Sequence, residues 1–479
     1  MARTPEGRRT GSGQGRPAEP ALGIRREYFH PAEASPGEIA KKIRREVTAD
    51  QRQAAALFRA FEEASQKAGA SHEEVQDLAG RGVCFCAWTQ IAGIETEVMR
   101  VPRTKKRGEE LHRHWHSYMT GLQMCGLRWV CPVCTAKRAE EDRRAVNDGL
   151  SAARDRGLYP VMLTFTTRHH RDEAPADVFA GIKKAEQRIK RLKPWERLSQ
   201  RSAGYVRVLE WTYQDASGHH PHFHSVMLIR AESEEEAIAQ ARTLQPSYMR
   251  QLAKAGRDGT SKAAWKHSFQ VQGASAVGDY ITKWGVAEEL TGAQRKDGGG
   301  LTPWQLLRLS RTASGDKGKA DKAERARYAS IWWEIIQATK HKAQLYKSEG
   351  WNQLVEEWRA EQLEPEPEPE PEPQLVAKLG HRNKGERDGS TRFLLARRRS
   401  LAVREAAESV DDLAAASAAV EAALISGPQD DDLLKAEELD LDNGPVIEVE
   451  PEDCEPVQRS SRAVLARERP ELPEPVDGG

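Results

Sequence analysis

The chain has 479 residues, enough for two or three domains, and only 38% of them are hydrophobic. No uninterrupted apolar stretch approaches the roughly 20 residues of a membrane span, so we expect no contact with a membrane. The net charge of zero conceals an asymmetry, because residues 363–479 carry 28 acidic and 14 basic residues whereas residues 1–362 carry 45 acidic and 59 basic ones. A basic body of this kind favours a polyanionic partner, nucleic acid in particular.

The first two predicted regions precede the most regular part of the chain. Residues 1–46 are predicted to be a disordered basic arm, because residues 1–20 are rich in Gly, Pro and Arg. These twenty residues lack the apolar core of a secretory signal. Residues 47–157 are predicted to form a helical, zinc-binding module. In it, apolar residues at helical spacing predict helices over about 48–69 and 136–156, with five cysteines between Cys84 and Cys134.

Residues 158–292 show the most regular pattern and are predicted to form a catalytic core. The predicted strands span 158–167, 205–213, 221–230 and 265–272, and the predicted helices span 174–192, 233–255 and 275–290. The residues Asp-Ala-Ser-Gly at 215–218 favour a turn, which would join the second and third strands into a hairpin. The order β-α-β-β-α-β-α resembles the split βαβ arrangement. We therefore predict an α+β protein with a ferredoxin-like, antiparallel-sheet core.

The remaining chain is predicted to be less regular. Three glycines at 298–300 mark a break, and residues 293–362 are predicted to be a helical extension. The Glu-Pro repeat at 364–373 predicts a stiff spacer. Within 363–479 we predict at most one helix, over about 392–424, in a spacer and tail that are acidic and mostly disordered.

The most informative segment is a histidine-rich strand. Four of the fourteen histidines fall in the six positions 219–224, directly before the apolar run 225–229. On a strand, His220, His222 and His224 would share one face, with next-but-one Cα atoms roughly 6–7 Å apart. Two imidazoles can bind one divalent cation and normally recruit a third ligand. Glu210 is favoured as that ligand, His220 is the alternative, and a solvated histidine cluster is the competing interpretation.

A candidate nucleophile follows the last predicted strand. Tyr280 and Lys283 are three residues apart on a predicted helix and so share a face. A metal that polarises a phosphate oxygen needs a nucleophile, and a tyrosine oxygen can supply one. A lysine beside it could stabilise the phenolate, the attacked phosphate or the leaving group. Taken alone, this spacing is more typical of a packed ring and a surface charge.

The cysteines predict a zinc site in a reducing, cytoplasmic environment. Cys131 and Cys134 form a C-P-x-C turn, and Cys125 lies six residues earlier. Tetrahedral Zn²⁺ needs a fourth ligand, which is either Cys84 or Cys86. The alternative is a set of buried cysteines without metal.

Basic residues flank the cysteines. The candidate DNA contacts are Arg128, Lys137 and Arg138. A zinc module with basic flanks can present charge to DNA, although zinc that only holds the fold is an alternative.

Together these motifs resemble replication initiators (Rep proteins) of rolling-circle plasmids from Gram-positive bacteria, the actinobacterial branch in particular, within the HUH endonuclease superfamily. Residues 162–167 are similar to the family's first motif, 220–224 to its H-P-H-F-H motif and 280–283 to its Y-x-x-K motif. The cysteine cluster and residues 302–307 also resemble family segments. The similarity spans about residues 84–350.

The resemblance implies a mechanism. Mg²⁺ or Mn²⁺ held by His222 and His224 would polarise the scissile phosphate at the plasmid's double-strand origin. Tyr280 would attack it, leaving a 5′-phosphotyrosine and a 3′-OH that a host DNA polymerase extends while a host helicase unwinds. In one branch a glutamate four residues before the tyrosine serves termination, but this chain has Ala276 there. Termination would then use another carboxylate, Asp279 or Glu210, or the tyrosine of a second subunit, and the choice among these, and with it a homodimer, is left open.

Three other functions remain as alternatives. The first is another HUH enzyme, a relaxase or a transposase, although relaxases typically place the tyrosine before the histidines. The second is a non-catalytic, zinc-dependent DNA-binding regulator. The third is a metal hydrolase that uses activated water, with Tyr280 merely packed.

Overall fold

A computed structural model of the protein describes residues 36–78, 80–107, 110–277, 300–312, 319–362, 371–381, 391–430 and 432–433. Within these residues, helices are combined with antiparallel sheets, which confirms the predicted α+β class. Among the described helices, none has the length and apolar character needed to cross a bilayer.

Two antiparallel sheets organise the described residues. The first sheet contains β1 (Thr96–Arg107), β2 (Glu110–Met119) and β8 (Gln374–Gly380), in the order β2-β1-β8. The second contains β3 (Tyr159–Phe165), β4 (Ser202–Gln214), β5 (Gly218–Ile229), β6 (Phe269–Gln272) and β7 (Leu345–Lys347), in the order β6-β3-β5-β4-β7. The histidine-rich strand β5 therefore lies at the centre of the second sheet.

The helices surround these sheets. They are α1 (Pro36–Lys67), α2 (His72–Gln76), α3 (Pro132–Asp155), α4 (Pro175–Ile189), α5 (Lys193–Gln200), α6 (Glu234–Arg242), α7 (Gln245–Lys254), α8 (Lys262–His267), α9 (Pro303–Thr312), α10 (Lys319–Ala338), α11 (Glu349–Glu361), α12 (Thr391–Arg398), α13 (Ser400–Glu408) and α14 (Leu413–Ser426), with a 3-10 turn at Arg81–Cys84. Proline in the first turn starts several of them, as in α3 and α4, because its fixed φ suits that position.

The second sheet is buried on both faces. Phe223 and Met227 of β5 pack in the apolar cluster that also holds residues of α4 and α7. Val226 and Leu228 point to the opposite face and pack in a cluster with residues of α3 and α11. His222 and His224 share this second face, because side chains alternate along a strand.

The β4–β5 register brings candidate site residues together. Glu210 pairs with His222, and Val208 pairs with His224. A shift of one residue would turn every side chain of a strand to the other face. The buried Trp211 and Phe223 hold the register, since a slip of either strand would remove its ring from the apolar cluster that the two side chains share.

Two predicted elements in this region differ from the structure. The helix predicted over 233–255 is two helices, α6 and α7, because Pro246 in the first turn of α7 cannot continue a preceding helix. The strand predicted over 265–272 is limited to 269–272. Residues 262–267 form α8, whose start is capped by the Ser261 hydroxyl accepting from the Ala264 N–H at 3.1 Å.

The ends of the chain also differ from expectation. Helix α1 begins at Pro36, inside the segment predicted to be a disordered arm, and the β1–β2 hairpin was not predicted. Among the described residues beyond 363, the structure has β8 and the helices α12, α13 and α14 where we expected at most one helix. Val98 of β1 packs with Leu379, Phe393 and Val420, so an apolar partner far earlier in the chain orders this region.

Candidate metal centres

Three side chains converge on one face of the second sheet. Glu210 lies on β4, and His222 and His224 lie on β5. The His222 Nε2 atom is 3.1 Å from a Glu210 carboxylate oxygen, and the His224 Nε2 atom is 3.6 Å from the same oxygen. Their ligand atoms all lie within 4.8 Å of one another. Two imidazoles and a carboxylate are a donor set that suits a divalent cation.

The remaining nitrogen of each imidazole has its own partner. The His222 Nδ1 atom is 3.2 Å from the His220 carbonyl oxygen, and the His224 Nδ1 atom is 3.0 Å from the Thr164 hydroxyl oxygen. We assign the ring proton of His222 to Nδ1, because the His220 carbonyl can only accept a hydrogen bond, and we assign the same tautomer to His224, whose Nδ1 can donate to the Thr164 hydroxyl. Both Nε2 lone pairs then face Glu210, which is the arrangement typical of metal-binding histidines. These residues therefore fit a divalent cation.

The ionisation of Glu210 depends on its two histidine neighbours. Burial alone would raise the pKa of Glu210, but the adjacent His224 and His222 outweigh burial and hold that pKa well below its ordinary value. The carboxylate is therefore ionised and available as a ligand near neutral pH.

The other two histidines of the run have different surroundings. The His220 Nδ1 atom is 2.8 Å from the His169 Nε2 atom, so His220, the alternative third ligand, lies outside the three-residue group. His219 faces the opposite side of β5, where Trp211 Nε1 donates to its Nδ1 atom at 3.2 Å and Glu334 lies 2.7 Å from its Nε2 atom. The sequence pattern did not single out the contacts of Thr164 or His169, because they depend on pairing between distant segments.

The candidate nucleophile cannot be placed from the described residues. Tyr280 and Lys283 lie outside them. Residues 274–277, just before, form a helical turn in which Ala276 and Val277 pack with the cluster of Val226 and Leu228.

A second group of candidate ligands is formed by cysteines. The sulfur atoms of Cys86, Cys125, Cys131 and Cys134 all lie within 4.8 Å of one another. The Sγ–Sγ distances are 3.5 Å for Cys86–Cys134 and 3.6 Å for Cys125–Cys134. A tetrahedral zinc site with bonds of about 2.3 Å has sulfur–sulfur distances of about 3.8 Å. The group is therefore compatible with zinc.

Local structure explains how the four thiols meet. Cys131 immediately precedes α3, and Cys134 lies in its first turn. The Gly126 N–H donates to the Cys134 sulfur at 3.3 Å. The turn that leads to Cys86 passes close to Cys125. Glycine at position 82 allows this approach, since a Cβ atom there would lie 2.9 Å from the Cys125 Cβ atom.

Cys84 is not part of this group. Its thiol donates to the Ala55 carbonyl oxygen on α1 at 3.7 Å. Burial raises the pKa of Cys84, whereas hydrogen bonds from the Cys125 and Cys131 thiols lower the pKa of Cys134. Of the two candidates for the fourth position, Cys86 is the one that lies with the other three.

The candidate DNA contacts flank the cysteine group. Arg128 forms an ion pair with Asp142, and both side chains are partly buried. Arg138 is exposed and pairs with Glu141 at 3.2 Å one turn along α3. Lys137 is exposed on the same helix.

The contact between Thr164 and His224 gives a first prediction. Replacing Thr164 with valine removes the hydroxyl that orients His224, so we expect Mn²⁺ affinity to fall about tenfold or more. Titration of the free Mn²⁺ signal by electron paramagnetic resonance measures this without any nicking. Thr166→Val is the matched control, because the Thr166 hydroxyl donates to the Pro221 carbonyl oxygen and to no imidazole. Equal affinities in both variants would contradict the assigned role.

Comparisons with known proteins bear on the same segment. Residues 116–242 match the model of a family described as replication protein. This segment contains Glu210, His222, His224 and three of the four grouped cysteines, and it ends before Tyr280.

Two curated relatives are similar to part of the chain. "Protein rep" of Streptomyces lividans is 32% identical over 165 residues, which cover 27% of this chain and 35% of the relative. "Neomycin resistance protein" of Streptomyces cyanogenus is 25% identical over 140 residues, which cover 24% of this chain and 32% of the relative. The chain thus spans about a third of the length of these relatives. No solved structure matches significantly. The predicted resemblance to replication initiators of the actinobacterial type is confirmed by the family match and the first relative.

Proposed function

We propose that this chain, whose residues 116–242 match the replication protein family, is a plasmid rolling-circle replication initiator that nicks and later rejoins one DNA strand. The observation that carries the proposal is the group of Glu210, His222 and His224, which lies on adjacent strands inside the matched segment. Origin DNA would be its substrate, single-stranded at the nick. A host helicase and DNA polymerase would act after the nick, in the cytoplasm.

The strand order supports a ferredoxin-like HUH core. In a split βαβ unit, the first and third strands are central, and the second and fourth flank them. Here β3 and β5 are the central pair, flanked by β6 and β4, while β7 extends the edge beside β4. Helix α4 connects β3 to β4, and α6 to α8 lie between β5 and β6. We therefore propose that the candidate site lies on the central strand of such a core.

The residues of the site would have separate roles in strand cleavage. Glu210, His222 and His224 would hold Mg²⁺ or Mn²⁺, which when bound supplies Lewis-acid polarisation of the scissile phosphate. Thr164 and the His220 carbonyl would keep both imidazoles oriented. The face of β5 that carries the site also leads into the buried cluster around Val226, which excludes water from one side.

Tyr280 would supply the nucleophile. Its phenolic oxygen forms a bond to phosphorus while the bond from phosphorus to the 3′ oxygen breaks, and the phenolic proton is transferred to the departing 3′ oxygen. One phosphodiester replaces another, so the strand can be rejoined without a nucleotide cofactor. Lys283 would stabilise the charge that develops on the phosphate or the leaving oxygen. Because Ala276 offers no carboxylate, we propose no residue for termination.

Residues before Tyr280 support this assignment. Val277 is buried in the cluster that contains Val226 and Leu228, on the same face of β5 as His222 and His224. Val277 therefore lies on the face of the sheet that carries the candidate metal site, and Tyr280 follows it three residues later in the sequence.

The cysteine group would hold a structural Zn²⁺. Its members belong to the same apolar cluster as Phe58 of α1 and Trp333 of α10. We propose that zinc fixes this module beside the sheet, and that Arg128, Lys137 and Arg138 at its border contribute DNA contacts.

The proposal is tested by covalent capture. The full-length protein is incubated with Mn²⁺ and an end-labelled single-stranded origin oligonucleotide and then resolved on a denaturing gel. We expect a protein–DNA adduct that is absent in Tyr280→Phe, because phenylalanine keeps the ring and lacks the attacking oxygen. Tyr248→Phe is the matched control, since the Tyr248 hydroxyl donates to the Thr166 backbone carbonyl and its ring packs on the face of the sheet opposite the candidate site.

Two results would contradict the mechanism. Cleavage that survives Tyr280→Phe would indicate hydrolysis by activated water. Tight, sequence-specific binding without cleavage would indicate a DNA-binding regulator.

A further inference from the structure

The β1–β2 hairpin projects beyond its sheet. β1 pairs with β2 from Val98 to Arg107, but its pairing with β8 covers only Thr96 to Arg100. We call residues 103–107 and 110–114 the distal ribbon. Its five residue pairs run from Arg103 opposite His114 to Arg107 opposite Glu110, and no third described strand accompanies them. A two-stranded ribbon by itself is marginally stable, so this one needs a firm base or a partner.

The base of the ribbon is firmly held. Arg100 is fully buried, and its guanidinium donates to the Val410 carbonyl at 2.5 Å and the Asp411 carbonyl at 2.7 Å. The same guanidinium lies 4.0 Å from the ring centre of Trp115 on β2. Trp115 in turn donates to the Asp411 carboxylate at 2.8 Å. The C-terminal helices therefore hold the start of the ribbon while its end projects.

The distal ribbon is rich in cations. Residues 103–113 include Arg103, Lys105, Lys106, Arg107 and Arg113 but only two acidic residues, Glu109 and Glu110. Arg103 and Arg113 are exposed, and Leu111 is 68% exposed. Lysines on an edge strand also discourage strand-to-strand aggregation. Five basic residues within eleven exceed what that role needs, and they favour a polyanionic partner.

We infer that the distal ribbon binds duplex DNA by entering the major groove. The major groove is about 12 Å wide and 8.5 Å deep and admits a two-stranded ribbon. Five pairs at about 3.4 Å per residue give a ribbon about 17 Å long, enough to lie along the groove floor. Its charge complements the phosphates on both walls. The proposed function supplies only the expectation that DNA is the polyanion, and the ribbon precedes the segment that matches the replication family.

The test is a binding measurement that needs no nicking. Lys105→Thr, Lys106→Thr and Arg107→Thr are combined in the full-length protein, because threonine keeps strand propensity while removing charge. Fluorescence anisotropy with a mixed-sequence duplex, without added divalent metal, gives the affinity over a salt series. Losing three phosphate contacts should lower the slope of log affinity against log salt by about 2–3 and weaken binding at low salt at least about tenfold.

A matched control removes the same charge elsewhere. Arg191→Gln, Lys193→Gln and Arg197→Gln neutralise three exposed cations at and before α5. We expect this triple variant to lose less than about threefold in duplex affinity. Equal losses in both triple variants would show non-specific charge and overturn the inference. A larger loss for single-stranded than for duplex DNA in the ribbon variant would overturn it in favour of a single-strand contact.

Two further measurements test the groove assignment and the role of charge. Methylation of guanine N7, which lies in the major groove, should be reduced by the wild-type protein and restored in the ribbon variant; unchanged protection would overturn the groove assignment. Glu110→Gln removes an acidic residue from the same ribbon and should strengthen duplex binding at low salt, whereas weaker binding would contradict the inference. Because neither measurement uses the metal group or Tyr280, a failed nicking assay leaves this inference standing, and the reverse also holds.

Discussion

Replacing His222 with alanine should abolish metal-dependent nicking of single-stranded origin DNA while duplex binding stays largely intact. The His222 Nε2 atom lies 3.1 Å from Glu210, and among the described residues its loss leaves two members of the group, His224 and Glu210. Metal polarisation of a phosphate supplies several kcal/mol to the transition state, and each 1.4 kcal/mol is a factor of ten in rate. We therefore expect the nicking rate to fall about a thousandfold or more. Duplex binding depends on phosphate contacts elsewhere.

The neighbouring histidines provide sharp controls. His219→Ala removes an imidazole from the same strand but from the opposite face, where it contacts Trp211 and Glu334. It should lower the melting temperature and leave Mn²⁺ affinity unchanged. His220→Ala tests the alternative third ligand, and we expect Mn²⁺ affinity within about threefold of wild type. If His220→Ala loses as much Mn²⁺ affinity as His222→Ala, His220 and not Glu210 is the third metal ligand. Loss of duplex binding in His222→Ala would contradict a purely catalytic role.

Local patterns were sufficient to predict the β4–β5 hairpin. The mostly apolar segment 205–213, the apolar run 225–229 and the turn at 215–218 predict two paired strands, and the structure pairs Glu210 with His222. The contact between Thr164 and His224 could not be predicted in the same way, because it depends on pairing between β3 and β5. Such pairing joins segments about sixty residues apart, and no turn sets its register. Strand β7, with three residues, is too short to show a period.

The first sheet was missed for a related reason. The pattern of β1 is dominated by charged residues, and its apolar partners on β8 and α14 lie about 280 to 320 residues away. Average composition described the region after 363 as acidic and Pro-rich, which is correct for the Glu-Pro repeat. The same average gives no sign of the apolar residues Val376, Leu379 and Phe393, which are buried against β1.

The cysteine pattern predicted three ligands and left the fourth open between Cys84 and Cys86. Spacing cannot choose between two residues that are two apart, because the choice depends on the turn that carries them. Cys84 ends the 3-10 turn and its thiol contacts α1, whereas Cys86 is buried with the other three thiols. The Cys125 N–H also donates to the Cys86 sulfur at 3.5 Å. These contacts distinguish two residues that are equivalent in the sequence pattern.

Cys86→Ser and Cys84→Ser should therefore differ strongly. Serine is nearly isosteric with cysteine but binds zinc poorly, so Cys86→Ser should lose the zinc equivalent. Structural zinc contributes folding free energy directly, and losing about 4 kcal/mol of it would lower the melting temperature by roughly 10 °C. The grouped cysteines pack with Phe58 and Trp333, so this loss should reach the main core. Cys84→Ser should keep its zinc and melt within about 3 °C of wild type, since it loses only one weak hydrogen bond. Zinc content by mass spectrometry and melting by circular dichroism measure both effects.

If Cys84→Ser loses the metal and Cys86→Ser retains it, the ligand assignment is reversed. If the purified wild-type protein and both variants all lack zinc, the four cysteines are a buried apolar cluster that needs no metal.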